Sequence, residues 1–163
     1  MSGTRQAQVH RRTSETDVDV LLGLDSDDNP SSAALVGTAG ADAGARAPDI
    51  SAGCGVLEHM LRLLAFHGRL NMKIRAAGDV QVDYHHLVED VGICMGQALR
   101  EALGDKQGIA RFGSAIVPMD DALCMAVVDL SGRPYLHFNV PMPCAKVGDF
   151  DTELVEEFMR ALA

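Results

Sequence analysis

The sequence predicts an α+β fold in which strands precede a helix in each of two halves. Apolar and polar residues alternate over short stretches, apolar residues recur every three to four positions over longer ones, and glycine or proline separates the two kinds. The length of 163 residues suits one domain, spanning 1–163. The second half is expected to be incomplete, because the last helical pattern has a start signal and reaches Ala163 without a stop signal.

The first predicted strand covers 16–24, where Val18, Val20 and Leu22 alternate with polar residues. The following stretch, 25–52, consists almost wholly of Ala, Gly, Ser, Thr, Asp, Asn and Pro. Such a composition buries too little apolar surface to offset the entropy of ordering. We therefore expect 25–52 to be a flexible insertion within the domain.

A first helix is predicted over 55–66, with His67 and Gly68 at its end. Its expected buried residues are Val56, Met60, Leu63 and Leu64. Alternation then predicts strands over 70–76 and 80–84.

The second helix is predicted over 85–103, followed by Gly104. Its expected buried stripe is Val88, Val91, Met95, Ala98 and Ala102. Two glycines at 92 and 96 lie on a different face, that of His85 and Glu89. A glycine in a helix interior costs about 1 kcal/mol relative to alanine, so we expect something to approach that face closely.

Three strands are predicted in succession, over 111–117, 122–130 and 134–140. The second of them is apolar on both faces, which favours a central position in a sheet. A third helix is predicted to begin at 148–151, where acidic residues suit the helix dipole.

Charge and composition exclude several classes of partner. Fourteen basic residues against 23 acidic ones give a net charge of −9, which argues against nucleic acid and against an anionic membrane surface. No apolar run reaches the roughly 18–20 residues that span a bilayer, and no signal peptide is recognisable. The four cysteines form no CxxC pair and are expected to be reduced and mostly buried, so a cytoplasmic location is predicted.

The strongest chemical signal is the run His85-His86-Leu87-Val88-Glu89 at the start of the second helix. Residues three and four apart on a helix are neighbours, so two imidazoles and a carboxylate can converge there. This donor set suits Mn, Fe, Co or Zn. The alternative is a solvated helix start with incidental histidines. His59 and His67 on the first helix are weaker candidates, because a single histidine is more often a packed or capping residue.

Arg111 and Arg133 each stand beside a glycine at a strand end. A guanidinium fork there suits a phosphate group. The alternative is a peripheral arginine paired with one of the many acids. Asp83, Asp120 and Asp121 are candidates either for orienting ligands or for turn formation.

From Arg11 to Ala163, apart from the insertion, the chain resembles the imidazoleglycerol-phosphate dehydratase family of histidine biosynthesis. The runs that carry the resemblance are Arg12–Thr16, His59–Leu61, Gly78–Asp79, Asp83–Asp90, Gly96–Leu99, Arg111–Gly113, Pro118–Asp120, Asp129–Tyr135 and Gly148–Leu154. The resemblance implies a duplicated half-domain of β-sheet packed on helices, similar to domain 2 of ribosomal protein S5. It also implies a large symmetric homo-oligomer with manganese sites between subunits.

The implied reaction removes water from D-erythro-imidazole-glycerol phosphate, a phosphorylated imidazole, to give imidazole-acetol phosphate. By the same resemblance, Mn²⁺ or another divalent transition metal binds the substrate imidazole while Glu15 moves the proton as acid and base. The implied metal ligands are His59, His85, His86 and Glu89. The implied substrate-binding residues are Glu15, His59, His67, His85, Glu89, Arg111 and Arg133.

The chain departs from the family pattern at Glu58, Leu87 and Asp121, where the family usually has Asp, Thr and Glu. A second HHxxE motif, which the family places beyond the third helix, is not in the 163 residues. The resemblance therefore leaves open two alternatives to a complete enzyme. One is a catalytically incomplete remnant or interaction subunit that lends its ligands to a partner, and the other is a metal-binding module without catalysis.

Overall fold

The computed structural model describes residues 4–25 and 48–163. Within them the strands are β1 (Gln6–Arg12), β2 (Thr16–Gly23), β3 (Asp49–Ser51), β4 (Asn71–Gly78), β5 (Phe112–Met119), β6 (Ala122–Asp129), β7 (Lys146–Val147) and β8 (Phe150–Asp151). The helices are α1 (Gly55–Gly68), α2 (His85–Leu103) and α3 (Leu154–Leu162). The predicted α+β class is confirmed.

A four-stranded sheet in the order β1-β2-β4-β3 carries the core. β2 pairs antiparallel with both β1 and β4, and β3 runs parallel to β4. Val18, Val20 and Ile74 are fully buried on the face that α2 covers. The opposite face carries polar pairs such as His10 with Asp17, whose side chains lie 2.7 Å apart. The alternation predicted for β2 and β4 is confirmed.

Four strands were missed from the sequence, namely β1, β3, β7 and β8. β1 presents mainly polar residues, and only Val9 among them is buried. Residues 49–51 lie inside the predicted insertion 25–52 but form β3, with Ile50 buried, so the prediction of a flexible segment was wrong there. The rest of the predicted insertion, residues 26–47, lies outside the described residues.

Helix α1 begins where Glu58 Oε1 accepts the backbone N–H groups of Ala52 at 2.8 Å and Gly53 at 3.1 Å. It ends at Gly68, and the next residue, Arg69, adopts the left-handed backbone conformation. The predicted buried face was wrong: the helix buries Leu57, Leu61 and Ala65. Three of the residues predicted to be buried are exposed, namely Met60, Leu63 and Leu64.

Helix α2 has the predicted bounds and the predicted buried stripe. The prediction of a close neighbour at its glycines is also confirmed, and that neighbour is α3. A methyl group on Gly92 would lie 2.8 Å from Ala161 Cβ, and one on Gly96 would lie 2.5 Å from the Leu162 carbonyl oxygen. The glycines therefore allow the two helix backbones to approach each other.

The predicted strand at 80–84 is absent from the structure, because a turn closed by the Val82 N–H on the Asp79 carbonyl occupies it. Residues 134–140 likewise form no strand. The third helix starts at Leu154 rather than at 148–151, since β7 and β8 form a hairpin around Gly148, whose φ is 63°. None of the helices in the described residues is long and apolar enough to cross a membrane.

The predicted strands at 111–117 and 122–130 are confirmed as β5 and β6, which form an antiparallel hairpin through Asp120. The central position predicted for β6 was wrong. Among the described residues, β6 pairs only with β5, and both strands are exposed along their whole length.

Candidate active site

The start of α2 carries two adjacent histidines, of which His85 is half-buried and His86 is exposed. Asp83 Oδ1 accepts the backbone N–H of His85 at 2.8 Å, which satisfies one of the free donors of the first helical turn. The imidazole rings of His85 and His86 lie 6.0 Å apart, centre to centre, and nearly perpendicular to each other. Of the two roles predicted for Asp83, the structure shows the turn-forming one.

His86 is oriented by a carboxylate that the sequence analysis did not single out. Its Nδ1 donates to Asp79 Oδ2 at 3.1 Å, which leaves Nε2 as the free nitrogen of the ring. This hydrogen bond raises the pKa of the His86 imidazole. Histidines that bind metals usually have a carboxylate or carbonyl on the other ring nitrogen, and the pair of Asp79 and His86 has this arrangement. The available signal was the aspartate directly after β4, in the run Gly78–Asp79.

Glu15 lies in the turn between β1 and β2, next to His86. Its backbone carbonyl accepts the Asp79 N–H at 3.1 Å, and its Oε1 accepts the Ser14 hydroxyl at 2.7 Å. The Ser14 hydrogen bond, together with a weaker attraction to His86, lowers the pKa of the Glu15 carboxyl. Glu15 is exposed, and its carboxyl is ionised at neutral pH.

A partly buried ion pair between Arg11 and Asp90 connects this turn to α2. Asp90 accepts a hydrogen bond from Arg11 Nε at 2.7 Å and a second one from the Thr16 hydroxyl. Asp90 is 6% exposed and follows Glu89 directly in the helix. The pair holds Glu15, one residue before Thr16, at the end of α2 that carries the histidines.

The four predicted metal ligands do not form one group within the chain. Among the described residues, no three His, Cys, Asp or Glu side chains lie close enough together to hold a metal ion. His59 is exposed on α1, where no metal-ligand group includes it. His67 is exposed at the end of α1, with its ring against Phe66. His85, His86 and Glu89 have donors of the right chemistry, but a single chain offers too few of them together.

Arg111 forms the ion pair that was predicted as the alternative to phosphate binding. Its Nε and one Nη donate to the two oxygens of Asp129, at 2.6 and 3.1 Å. The guanidinium also lies 4.9 Å above the Phe112 ring. The Arg111 hydrogen bonds lower the pKa of the Asp129 carboxyl, and Arg133 and Lys106 add to this effect.

Arg133 is exposed in the turn after β6, where its N–H donates to Ser131 Oγ at 3.2 Å. A cleft of about 230 Å³ lies beside this turn, lined by Lys106, Ile109, Arg111, Leu130 and Ser131. Lys106 was not among the residues that the sequence analysis selected. Asp120 has a φ of 51° in the β5–β6 turn, which supports the turn-forming role for it.

The comparisons with known proteins agree with one another. A family model described as imidazoleglycerol-phosphate dehydratase matches residues 52–163. The imidazoleglycerol-phosphate dehydratase of Gluconobacter oxydans is 50% identical over 163 residues, which is 100% of this chain and 73% of that protein. That of Desulforudis audaxviator is 54% identical over 159 residues, covering 98% of this chain and 72% of that protein.

Two solved structures are similar to this fold. The imidazoleglycerol-phosphate dehydratase of Staphylococcus aureus superposes with a TM-score of 0.75 at 39% identity, covering 96% of this chain and 76% of that one. The enzyme of Pyrococcus furiosus, solved in complex with (S)-C348, gives a TM-score of 0.70 at 34% identity, covering 94% of this chain and 72% of that one.

Proposed function

The chain belongs to the imidazoleglycerol-phosphate dehydratase family of hydro-lyases in histidine biosynthesis, and from this we propose that it converts D-erythro-imidazole-glycerol phosphate to imidazole-acetol phosphate with manganese as its metal. The reaction takes a hydroxyl group and a proton from neighbouring carbon atoms and releases them as water. The observation that supports this proposal best is the start of α2, where Asp79 orients His86 beside the Glu15 carboxylate.

Glu15 is the proposed acid and base. Its carboxylate is exposed beside His86 and is ionised at neutral pH, and the Ser14 hydrogen bond, which lowers its pKa, favours this charged form. In this form it is proposed to take the proton from the substrate carbon. The protonated carboxyl can then give that proton to the departing hydroxyl group. The ion pair between Arg11 and Asp90 keeps the turn that carries Glu15 in place during both transfers.

We further propose that His85, His86 and Glu89 hold Mn²⁺, and that His59 contributes a ligand as well. Imidazole and carboxylate donors suit Mn²⁺ and other divalent transition metals. The metal supplies positive charge that draws electrons from the substrate's imidazole ring. Because no described group of three donors forms within one chain, the ligand set is proposed to be completed between chains.

Self-association into a large homo-oligomer follows from the same proposal, and the exposed apolar surface supports it. The hairpin β5–β6 exposes Ile116, Leu123 and Val127 by more than 60% each. Helix α1 adds an apolar face with Met60 and Phe66. Contiguous apolar surface of this kind marks an interaction site.

The proposed substrate is a small phosphorylated imidazole, and neither nucleic acid nor a membrane is a proposed partner. His67 is proposed to line the substrate pocket, and Arg111 and Arg133 to bind the substrate phosphate. The cytoplasm is the proposed location, since all four cysteines are free in the structure, as in a reducing compartment.

The purified full chain tests the proposal through Mn²⁺ binding and through turnover of imidazole-glycerol phosphate. We expect Mn²⁺-dependent turnover, and we expect Glu15→Gln to lower kcat by about 10²- to 10⁴-fold with Mn²⁺ affinity unchanged. Glu101→Gln, which changes an exposed glutamate on α2, is the matched control and keeps wild-type turnover. A chain that binds no Mn²⁺ would contradict the proposal.

A second candidate is a catalytically incomplete subunit that lends half of a metal site to a complete partner. The separation of the predicted ligands within the described residues favours it. In that case the chain binds Mn²⁺ weakly and turns nothing over alone. Mixing it with a homologue whose HHxxE histidines have been replaced would then restore activity, whereas turnover by the chain alone excludes this candidate.

A further inference from the structure

Lys106 occupies an unusual backbone position between α2 and β5. Its φ is +61°, a region that residues with a Cβ atom rarely adopt, and its N–H donates to the Leu103 carbonyl at 2.9 Å. Glycine or asparagine is the common choice for such a position. The half-buried lysine at this position therefore has to be explained by its side chain rather than by its backbone.

The side chain of Lys106 crosses to the turn after β6. Its Nζ lies 2.5 Å from where a Cβ atom on Gly132 would be, so any other residue at 132 would displace the ammonium group. The φ of Gly132 is +81°. None of the ion pairs found within 4.0 Å among the described residues involves Lys106. Lys106 lines the cleft together with Arg111 and Ser131.

Arg111 keeps donors free toward the same cleft. Asp129 takes only Nε–H and one Nη–H, on one side of the guanidinium, so the edge formed by the two Nη groups remains available. Besides Arg111, which contacts the Asp129 carboxylate, Lys106 and Arg133 act on it electrostatically, and all three cations lower its pKa. The cluster therefore has two positive charges in excess, which matches the charge of a phosphate monoester.

We propose that Lys106 is a further phosphate-binding residue, which acts with Arg111 in the cleft beside Gly132. The inference rests on the proposed function, because it adds a ligand to the phosphate site assigned there to Arg111 and Arg133. Lys106 donates N–H bonds to a phosphate oxygen, while Asp129 holds the guanidinium so that its free edge faces the same group. Because Gly132 has no side chain, it leaves room for the Lys106 ammonium group.

Titration of the full chain with inorganic phosphate, followed by calorimetry, tests this inference. We expect Lys106→Met to weaken phosphate binding about tenfold, as for the loss of one charged hydrogen bond. Lys73→Met removes the same charge from the polar face of the sheet and is expected to leave binding unchanged. Lys106→Gly relaxes the backbone, so we expect it to keep or raise the Tm while weakening phosphate binding equally.

The outcomes separate this inference from the proposed function. If both Lys106 variants bind phosphate as tightly as the wild type while Arg133→Gln binds it more weakly, Lys106 is not a ligand and the arginine site stands. If the wild-type chain binds no phosphate, or if Arg111 and Arg133 variants bind it unchanged, the phosphate site itself is overturned together with the role of Lys106.

Discussion

The four-stranded sheet and the β5–β6 hairpin both contain apolar strand residues, but only the sheet buries them. Ile74 on β4 is fully buried, whereas Ile116 on β5 is 64% exposed. β4 has a strand on each side and a helix across one face, while the two hairpin strands pair only with each other in the described part of the chain. Burial here depends on the available partners rather than on the hydrophobicity of the strand.

The candidate site residues are divided between the same two regions. The sheet and α2 carry Glu15, His85 and His86, positioned by contacts that the chain makes with itself. The hairpin carries Arg111 and the cleft, with apolar surface left uncovered beside them. We therefore expect the first region to be ordered in an isolated chain and the second to depend on association.

The largest difference in stability between the two regions is expected when one isoleucine in each is replaced by alanine. Ile74→Ala is expected to lower the free energy of unfolding by about 2–5 kcal/mol, because it leaves a cavity in the core. Ile116→Ala removes a side chain that is already exposed and should change the free energy by at most about 0.5 kcal/mol. Urea unfolding at micromolar concentration measures both. Equal losses would show that the hairpin is covered in the isolated chain.

A buried cysteine on α2, Cys94, and an exposed one on β6, Cys124, allow the two regions to be compared by the pH dependence of stability. Burial raises the pKa of the Cys94 thiol from its ordinary 9.0 to about 11, whereas Cys124 on β6 is exposed. Above pH 9 the unfolded chain loses this proton more readily than the folded one, so stability falls as pH rises toward 11. The loss amounts to about 3 kcal/mol for a shift of this size.

Cys94→Ala should remove most of that alkaline loss, and Cys124→Ala should leave it unchanged. Alkylation by iodoacetamide at pH 8 gives a second measurement, in which Cys124 reacts in the folded chain and Cys94 reacts only after unfolding. Rapid modification of Cys94 in the native chain would contradict the burial described for it.

The smallest difference in stability between the two regions is expected when one glycine in each is replaced by alanine. Gly96→Ala places a methyl group against the backbone of α3 and should lower the free energy of unfolding by about 1–3 kcal/mol, even though alanine favours the helix. Gly113→Ala on β5 meets no atom within 4 Å and should cost less than about 0.5 kcal/mol. Thermal unfolding of the two variants tests this. A stabilised Gly96→Ala would mean that α3 does not pack on α2.

Sequence patterns predicted the elements that are long or regular. The 19-residue helix α2 was found with its buried stripe, because five turns of apolar periodicity leave little ambiguity. Strand β1 was missed, since an edge strand with one buried valine lacks that signal. The stretches 80–84 and 134–140 alternate like strands but pair with no strand in residues 4–25 and 48–163, and alternation alone does not reveal pairing.

The site was predictable only in part for a related reason. The paired histidines and Glu15 could be selected by spacing and resemblance, and their roles stay predictions. The contact between Asp79 and His86 joins residues seven apart across a turn, and that between Lys106 and Gly132 joins two separate loops. Such contacts depend on the tertiary fold, so they have no periodic signature in the sequence.

The adjacent acids Glu89 and Asp90 have one more consequence. They point about 100° apart around α2, with Asp90 turned into the core and Glu89 toward the histidine face. The inner carboxylate thus fixes the rotation of the helix about its own axis, and with it the direction of the outer one. A slip of the helix by one residue would bury Glu89 against Arg11 and turn the histidines away. The ion pair between Arg11 and Asp90 therefore stabilises the helix orientation that places Glu89 and the two histidines on the same face.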